Sequence, residues 1–358
     1  MMTKQEPSLF GLLNTNKDFS DEKSWGKNQF NNTFPASLAC YMASKGIEPV
    51  YLCMGKDKKL SHGKINVSDL FGLPSTSPDL HFFFEGQFTP YSTMVIDGLE
   101  GVDLVTSNKA SHQQLRALEI KLTAVPDQTT IDSDIENQGA EIVVRPQTIS
   151  YLALSIAQNF ASTSGRKYLR DIIEPINKKI PDWGEPENIR PHINEMVEAL
   201  RTIAVYKMEN QKPMLLQTIW RTEGNLSILS ENCFDIFVWS DFGFVNMFAD
   251  SAIFSPENKV TRPARTVCWL TKMLYDFSVQ GRIEPRKIQD ELTYNTRNDK
   301  SFALGGVVTN PLMKCKELTK PRIKKSAIKE IILGEGYKLL RPERRLDAAI
   351  LGTPGLFD

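Results

Sequence analysis

The stretch Leu115–Thr123, "LRALEIKLT", decides how the rest of this sequence is interpreted. Its apolar and polar residues alternate, which predicts a β-strand, because successive side chains of a strand point to opposite faces of the sheet. One face is predicted to enter the core and carries Leu118, Ile120 and Leu122. The other face carries Ala117, Glu119, Lys121 and Thr123. A carboxylate and an ammonium two residues apart are therefore predicted to point the same way.

An acidic residue lies in the apolar segment that precedes this strand. The segment Met94–Val105, "MVIDGLEGVDLV", contains Asp103, and the residues 106–116 that follow are mostly polar. Polar residues between two apolar segments favour the connection of an antiparallel hairpin. Such a hairpin would place Asp103 beside Glu119, in the pattern Asp, fifteen residues, Glu-x-Lys.

Two carboxylates beside a lysine can hydrolyse phosphodiesters. Carboxylate oxygens suit Mg²⁺, which keeps several waters and can bridge to a phosphate. The lysine can orient or deprotonate the attacking water and offset phosphate charge. The competing interpretation is a solvated strand face with a weak ion pair, which is common for a Glu-x-Lys sequence. Asp103 and the apolar residues of both segments strengthen the catalytic interpretation until the two are about equally favoured.

Composition excludes several classes of protein. The chain has 358 residues, 41% hydrophobic and 24% charged, which is typical of a soluble globular protein and not of a disordered one. No run of about 18 apolar residues or secretion signal is visible, so we expect a cytoplasmic protein with no membrane segment. The five cysteines are scattered and form no CxxC pair, which favours neither disulfides nor a zinc site.

Charge is distributed unevenly along the chain. Residues 255–358 hold 20 Lys and Arg against 12 Asp and Glu, whereas residues 1–254 hold 23 against 31. A basic end on an acidic body is expected where one part of a protein faces a polyanion. We therefore predict a core in residues 1–250 and a basic, mainly helical region in residues 251–358 that contributes to DNA binding, although both could form one domain.

Strand and helix signals are mixed along the chain, which predicts an α/β fold. We expect a short helix that begins at Pro35 and stops at Gly46, and helices over residues 149–160 and 195–207. Strand signals occur over residues 49–54, 140–146, 213–229 and 233–248, with a turn at Glu223–Asn225. The aromatic segment Trp239–Phe248 is interpreted as core rather than as a platform for stacked bases. Residues 262–281 and 314–332 are predicted to be helical.

Other catalytic motifs are absent from the sequence. No GxxxxGK[ST] phosphate loop occurs, so ATP-driven activity has no visible basis. An Asp-Phe-Gly sequence at Asp241 lacks the companion motifs of a kinase. The histidines are isolated, which disfavours a histidine-based metal hydrolase: His62, His81, His112 and His192.

The segments "GVDLV" and "ALEIKLT" resemble the PD-(D/E)xK nuclease signature, with Val102 in the place of its often-missing proline. The blocks "PSLFGLLNTNKDFS", "WGKNQFNNTFPASLACYM", "LRALEIKLTAVPD" and "VVRPQTISYLALSIAQ" are similar to the HindVP family of type II restriction endonucleases. This resemblance runs through most of the chain. It implies an α/β, restriction-endonuclease-like core with a mixed central sheet flanked by helices.

The resemblance also implies an activity and its partners. It implies an enzyme that cuts double-stranded DNA with Mg²⁺ at a short, nearly palindromic site of the GRCGYC type, leaving a 5′-phosphate and a 3′-hydroxyl. A near-palindrome favours a two-fold homodimer. A cognate DNA methyltransferase would protect the host. The rival interpretations are a catalytically idle DNA-binding protein on the same fold and a structure-directed repair nuclease.

Carried over to this sequence, the resemblance assigns roles to particular residues. Asp103 and Glu119 would be metal ligands, the backbone carbonyl of Ile120 a further ligand, and Lys121 the catalytic lysine. A third acid is expected from upstream, with Glu85 as the candidate and Asp97 and Glu100 as rivals.

DNA contacts are predicted in the basic C-terminal region. Arg262 and Arg265 could read guanine in the major groove, although ordinary surface or ion-paired arginines are an alternative. The tract Lys314–Lys329, which includes Lys324 and Lys325, has seven basic residues against one Glu. It could neutralise DNA phosphates, or it could be a solvated helical face.

Overall fold

The computed structural model describes residues 27–44, 46–123, 142–219, 235–254, 258–296 and 302–304. The helices in these ranges are α1 (Lys27–Ser44), α2 (Val67–Phe71), α3 (Pro146–Gln158), α4 (Thr163–Asn177), α5 (Pro186–Ile189), α6 (Ile193–Tyr206), α7 (Asp241–Ile253), α8 (Arg262–Gln280) and α9 (Pro285–Glu291). The strands are β1 (Val50–Met54), β2 (Leu60–Lys64), β3 (Leu80–Gly86), β4 (Val102–Asn108), β5 (Gln113–Thr123), β6 (Ile142–Val144), β7 (Pro213–Ile219), β8 (Asp235–Ser240) and β9 (Phe302–Leu304).

Seven of these strands form one mixed sheet in the order β2-β1-β8-β7-β5-β4-β3. The pairs β1–β8 and β5–β7 are parallel, and the other neighbours are antiparallel. Strand β5 lies inside the sheet, between β4 and β7. Strands β6 and β9 form a separate pair.

Helices cover both faces of the sheet. The larger core packs the sheet against α3, α4 and α6 to α9, and the smaller core packs its other face against α1 and α2. Both faces of β5 therefore lie under helices. The predicted α/β class, with a mixed central sheet flanked by helices, is confirmed.

Two local predictions were wrong. Helix α1 begins at Lys27, with Pro35 inside it, and not at the proline. The predicted strand over residues 233–248 ends at Ser240, where α7 begins. The Ser240 hydroxyl accepts a hydrogen bond from the Gly243 N–H at 2.8 Å, so serine caps the helix. The predicted turn at Glu223–Asn225 lies outside the described residues.

The aromatic segment that spans this boundary is core, as predicted. Every residue from Trp239 to Phe248 is buried. The Trp239 indole N–H donates to Gln217 Oε1 at 2.9 Å, which satisfies its buried polar group.

Helix α8 falls in the region predicted to form a basic lobe, yet it packs within the larger core against α3, α4, α6 and α7. Residues 305–358, with the whole of the predicted basic tract Lys314–Lys329, lie outside the described residues, so the domain division stays a prediction. Among the helices that are described, none has both the length and the apolar character needed to cross a membrane.

Candidate active site

The predicted hairpin is present and brings the two acids together. Strands β4 and β5 pair antiparallel, with Leu104 opposite Leu118 and Val105 opposite Ala117. Both strands extend further than the sequence suggested, so that residues 109–112 make the turn. Beyond the backbone ladder, Asp103 Oδ2 accepts a hydrogen bond from the Ile120 N–H at 2.8 Å. This bond fixes the Asp103 carboxylate against the Glu119–Lys121 segment.

Lys121 lies between the two carboxylates. Its Nζ is 3.0 Å from Glu119 Oε2 and 3.6 Å from Asp103 Oδ2. The exposed fractions of the side chains are 18% for Lys121, 27% for Asp103 and 3% for Glu119. A charged trio so enclosed contradicts the interpretation of a solvated strand face, because exposed ion pairs keep both partners in water.

The alternation of β5 produces this arrangement. Leu118 and Ile120 are buried in the smaller core, as predicted, and they hold the strand in register. Glu119 consequently points to the other face, under helix α3. The side chain of Leu122 lies outside the described part.

Burial and mutual charge set the protonation of the trio. Burial, followed by the neighbouring charge of Glu119, raises the pKa of Asp103 from 3.8 to about 7. Burial alone would raise the pKa of Glu119, but the Lys121 ammonium and the hydrogen bonds around the carboxyl outweigh it and lower that pKa. The pKa of Lys121 is raised, because the two carboxylates outweigh its burial. Near neutral pH, Glu119 and Lys121 are therefore charged, whereas Asp103 gives up its proton less readily than an ordinary carboxyl does.

The first turn of α3 covers the site, which the sequence did not predict. The Gln147 side-chain amide donates to the Gly101 carbonyl at 2.8 Å, and the Tyr151 hydroxyl donates to the Glu100 carbonyl at 2.6 Å. Thr148 faces Glu119 and helps to lower the pKa of its carboxyl. The block "VVRPQTISY", which marks the family resemblance, was the available signal for these residues.

Helix α9 binds both the start of α3 and the loop before β4. Gln289 donates from Nε2 to the Pro146 carbonyl at 2.8 Å and to Ser150 Oγ at 3.1 Å. Arg286 donates from its backbone N–H to Asp97 Oδ2 and from its guanidinium to Glu100 Oε1. The loop before β4 and the start of α3 are thus tied to one helix.

Comparisons with known proteins identify the family of the chain. A model of the HindVP restriction endonuclease family matches residues 25–357. The chain belongs to the HindVP restriction endonuclease family. It is 46% identical over 353 residues to the type II restriction enzyme HgiDI of Herpetosiphon aurantiacus, covering 99% of this chain and 98% of that protein. It is 39% identical to the probable type II restriction enzyme HindVP of Haemophilus influenzae, covering 98% of this chain and 95% of that protein. No solved structure matches the chain.

Within this member of the HindVP family, no third acid from the described residues joins the pair. In the part of the chain that the structure describes, no three His, Cys, Asp or Glu side chains come together as a metal site. Glu85 is exposed on β3, and its φ is 54°. Asp97 and Glu100 both bind Arg286 instead. The structure therefore does not bring Glu85, Asp97 or Glu100 together with Asp103 and Glu119, and a third acidic ligand stays a prediction.

The residues predicted to contact DNA differ in how exposed they are. Arg265 is fully buried, with its guanidinium 4.5 Å from the Trp269 ring and bonded to Thr296, so it cannot reach a base in this fold. Arg262 is partly exposed at the start of α8 and stays a candidate. Lys324 and Lys325 lie outside the described residues.

The donor set fits a divalent cation of the kind that the HindVP resemblance implies. Glu119 Oε1 is buried and has no hydrogen-bond partner among the described residues, which leaves one carboxylate oxygen available. The N–H and C=O of a strand residue point to the same side, so the Ile120 carbonyl points towards Asp103, as its N–H does. Mg²⁺ is usually held by one or two carboxylates together with waters and phosphate oxygens. These oxygens would hold it without a third acid.

We expect Asp103→Asn to stabilise the metal-free protein, increasingly so as pH rises. Asp103 has a pKa of about 7 in the folded chain against an ordinary 3.8, so its stabilising contribution is present at low pH and lost as pH rises from about 4 to 7. Asparagine does not titrate and can still accept from the Ile120 N–H. In EDTA, urea unfolding should show the variant more stable by at least about 1 kcal/mol at pH 8, and close to wild type at pH 4.

A stability difference that stays constant over this pH range would contradict the raised pKa of Asp103. Asp171→Asn, which removes an exposed carboxyl on α4, controls for the loss of one charge.

Proposed function

We propose that this chain is a type II restriction endonuclease that hydrolyses phosphodiester bonds of double-stranded DNA with Mg²⁺. One observation carries the proposal: a single hairpin brings Asp103, Glu119 and Lys121 into contact beneath α3. The names of the two relatives support the same activity. The DNA sequence that it recognises is expected to be short and nearly palindromic, of the GRCGYC type.

The residues of the hairpin divide the work of hydrolysis. Asp103, Glu119 and the Ile120 carbonyl would hold Mg²⁺, which, when bound, stabilises the charge that grows on the phosphoryl oxygens and lowers the pKa of water. Lys121 orients the attacking water and places a positive charge against the phosphate. Water attacks in line, leaving a 5′-phosphate and a 3′-hydroxyl.

Arg145 is a further candidate for contact with DNA. It is exposed at the start of α3, makes no ion pair among the described residues, and lies near enough to Lys121 for its charge to oppose that of the lysine. A cavity of about 260 Å³ adjoins it and is also lined by Gln147, Tyr151 and Arg286. A positive charge here would bind a backbone phosphate and position the scissile strand.

The symmetry of the expected DNA recognition sequence indicates how the chain would assemble and with which partners. A near-palindrome presents equivalent bonds on two strands, so a homodimer with one site on each strand is expected. A cognate methyltransferase would protect the host's own copies of the site. Arg262, Lys324 and Lys325 remain proposed contacts to DNA.

Plasmid cleavage tests the proposal. Purified protein is incubated with supercoiled plasmid and Mg²⁺, with EDTA and with the Lys121→Ala variant as controls. Discrete fragments that need both Mg²⁺ and Lys121 support a restriction enzyme, and end-sequencing then gives the site. A smear would favour a structure-directed nuclease, and intact plasmid that the protein nevertheless binds would favour an idle DNA-binding protein.

A further inference from the structure

Two oxygen atoms in the site are buried without a hydrogen-bond partner among the described residues. They are Glu119 Oε1 and Thr148 Oγ1, and the residues that carry them are 2% and 0% exposed. The Thr148 hydroxyl lies close enough to the Glu119 carboxyl to stabilise its charge, although no hydrogen bond of ordinary length joins the two groups. Burying a hydroxyl or a carboxylate oxygen without a partner is unfavourable, so such atoms in a native protein point to a missing ligand.

The helix does not use the Thr148 hydroxyl. Buried helical threonines usually donate to the carbonyl four residues earlier, as Thr266 does to Arg262 at 3.0 Å and Thr271 to Val267 at 2.8 Å. Thr148 is only the third residue of α3, so that carbonyl would belong to β6. Its hydroxyl is therefore directed away from the helix, towards the carboxylates.

The chemistry of the two oxygens matches a hard cation. Divalent cations of this class take oxygen ligands, and threonine or serine hydroxyls hold Mg²⁺ in phosphate-binding loops. The three candidates for a third acid lie elsewhere, exposed or bound to Arg286. A hydroxyl at the start of α3 meets the same need without adding a third carboxylate charge to the site.

We propose that Thr148 supplies the third protein side-chain oxygen of the cation site, together with Glu119 and Asp103. The inference rests on the proposed function in that the cation serves hydrolysis, but its test does not depend on cleavage. Thr148 acts on the cation directly, so its removal should change cation affinity and leave the fold intact.

Titration calorimetry with Mn²⁺ as the probe tests the assignment on the full chain. Thr148→Val keeps the volume and removes the hydroxyl, and it should weaken Mn²⁺ binding by about 10- to 100-fold. Thr148→Ser keeps the hydroxyl and should bind within about threefold of wild type. Thr271→Val, at a buried helical threonine whose hydroxyl is already bonded to the helix, should bind Mn²⁺ as wild type does.

Melting temperature separates a cation ligand from a structural hydroxyl. In EDTA, Thr148→Val should melt close to the wild-type temperature, because the hydroxyl it removes makes no hydrogen bond of ordinary length. A markedly lower melting temperature, unchanged Mn²⁺ affinity, or an equal loss in Thr148→Ser would overturn the assignment. Wild-type protein that binds no Mn²⁺ would overturn it as well.

The two proposals can fail separately. Mn²⁺ binding that depends on Thr148 in a protein that cuts no DNA would remove the proposed function and keep the cation ligand. Normal cleavage and unaltered Mn²⁺ binding by Thr148→Val would keep the proposed function and remove the cation ligand.

Discussion

Lys121→Ala is expected to lower the rate of DNA cleavage by about 10³-fold, because it removes a side chain that touches both carboxylates. Lys121 lies 3.0 Å from Glu119 and 3.6 Å from Asp103, where it also faces the expected phosphate. Without it, the water is not oriented and the charge on the phosphate is not offset. Single-turnover cleavage of a plasmid with saturating Mg²⁺ measures the effect.

The variant should still bind DNA. A phosphate contact contributes one charge among several, so affinity measured in Ca²⁺ is expected to change only a few-fold. Lys109→Ala, at an exposed lysine in the turn of the same hairpin, should cleave normally. If Lys121→Ala cuts DNA at more than about a tenth of the wild-type rate, the catalytic role of Lys121 is wrong.

Glu119→Gln should lower the rate of DNA cleavage as much as Lys121→Ala does, for a different reason. Its side chain is 3% exposed, and Oε2 accepts a hydrogen bond from Lys121. Its Oε1 atom has no hydrogen-bond partner among the described residues and is available to a cation. Glutamine keeps the shape but removes the charge, so the cation loses its most buried ligand. We expect cleavage to fall on the order of 10³-fold and Mn²⁺ binding to weaken in parallel.

The parallel loss distinguishes Glu119 from Lys121. In Lys121→Ala, Mn²⁺ should bind at least as well as in wild type, because a competing positive charge is gone. Glu209→Gln, at an exposed position before β7, provides the matched control. Unaltered Mn²⁺ affinity in Glu119→Gln would show that this carboxylate does not hold the cation.

The hairpin could be predicted because its information is local. Period-two alternation in β5 and the polar connection before it determine which side chains share a face, and both features can be counted in the sequence. The same alternation placed Glu119 and Lys121 together. It could not show that Glu119 is buried, since burial depends on α3, which follows about thirty residues later.

The errors came where tertiary context overrides local preference. The aromatic residues Phe242, Phe244 and Phe248 favour a strand by composition, yet they form a buried helix because Ser240 caps α7 and the core surrounds it. Arg265 looked like a surface base reader, but a guanidinium can be buried when it stacks on a ring and finds oxygen partners. Thr148 has no sequence motif of its own, and only its position over Glu119 marks it.

The attachment of α3 to α9 has a consequence for when the enzyme can become active. Gln289 and Arg286 hold the start of α3 and the loop before β4, so the site draws on residues from 97 to 289. A chain still being synthesised carries Asp103, Glu119 and Lys121 long before these later residues emerge. Incomplete copies would therefore contain the hairpin without the helix that holds the start of α3 and the loop before β4 in place.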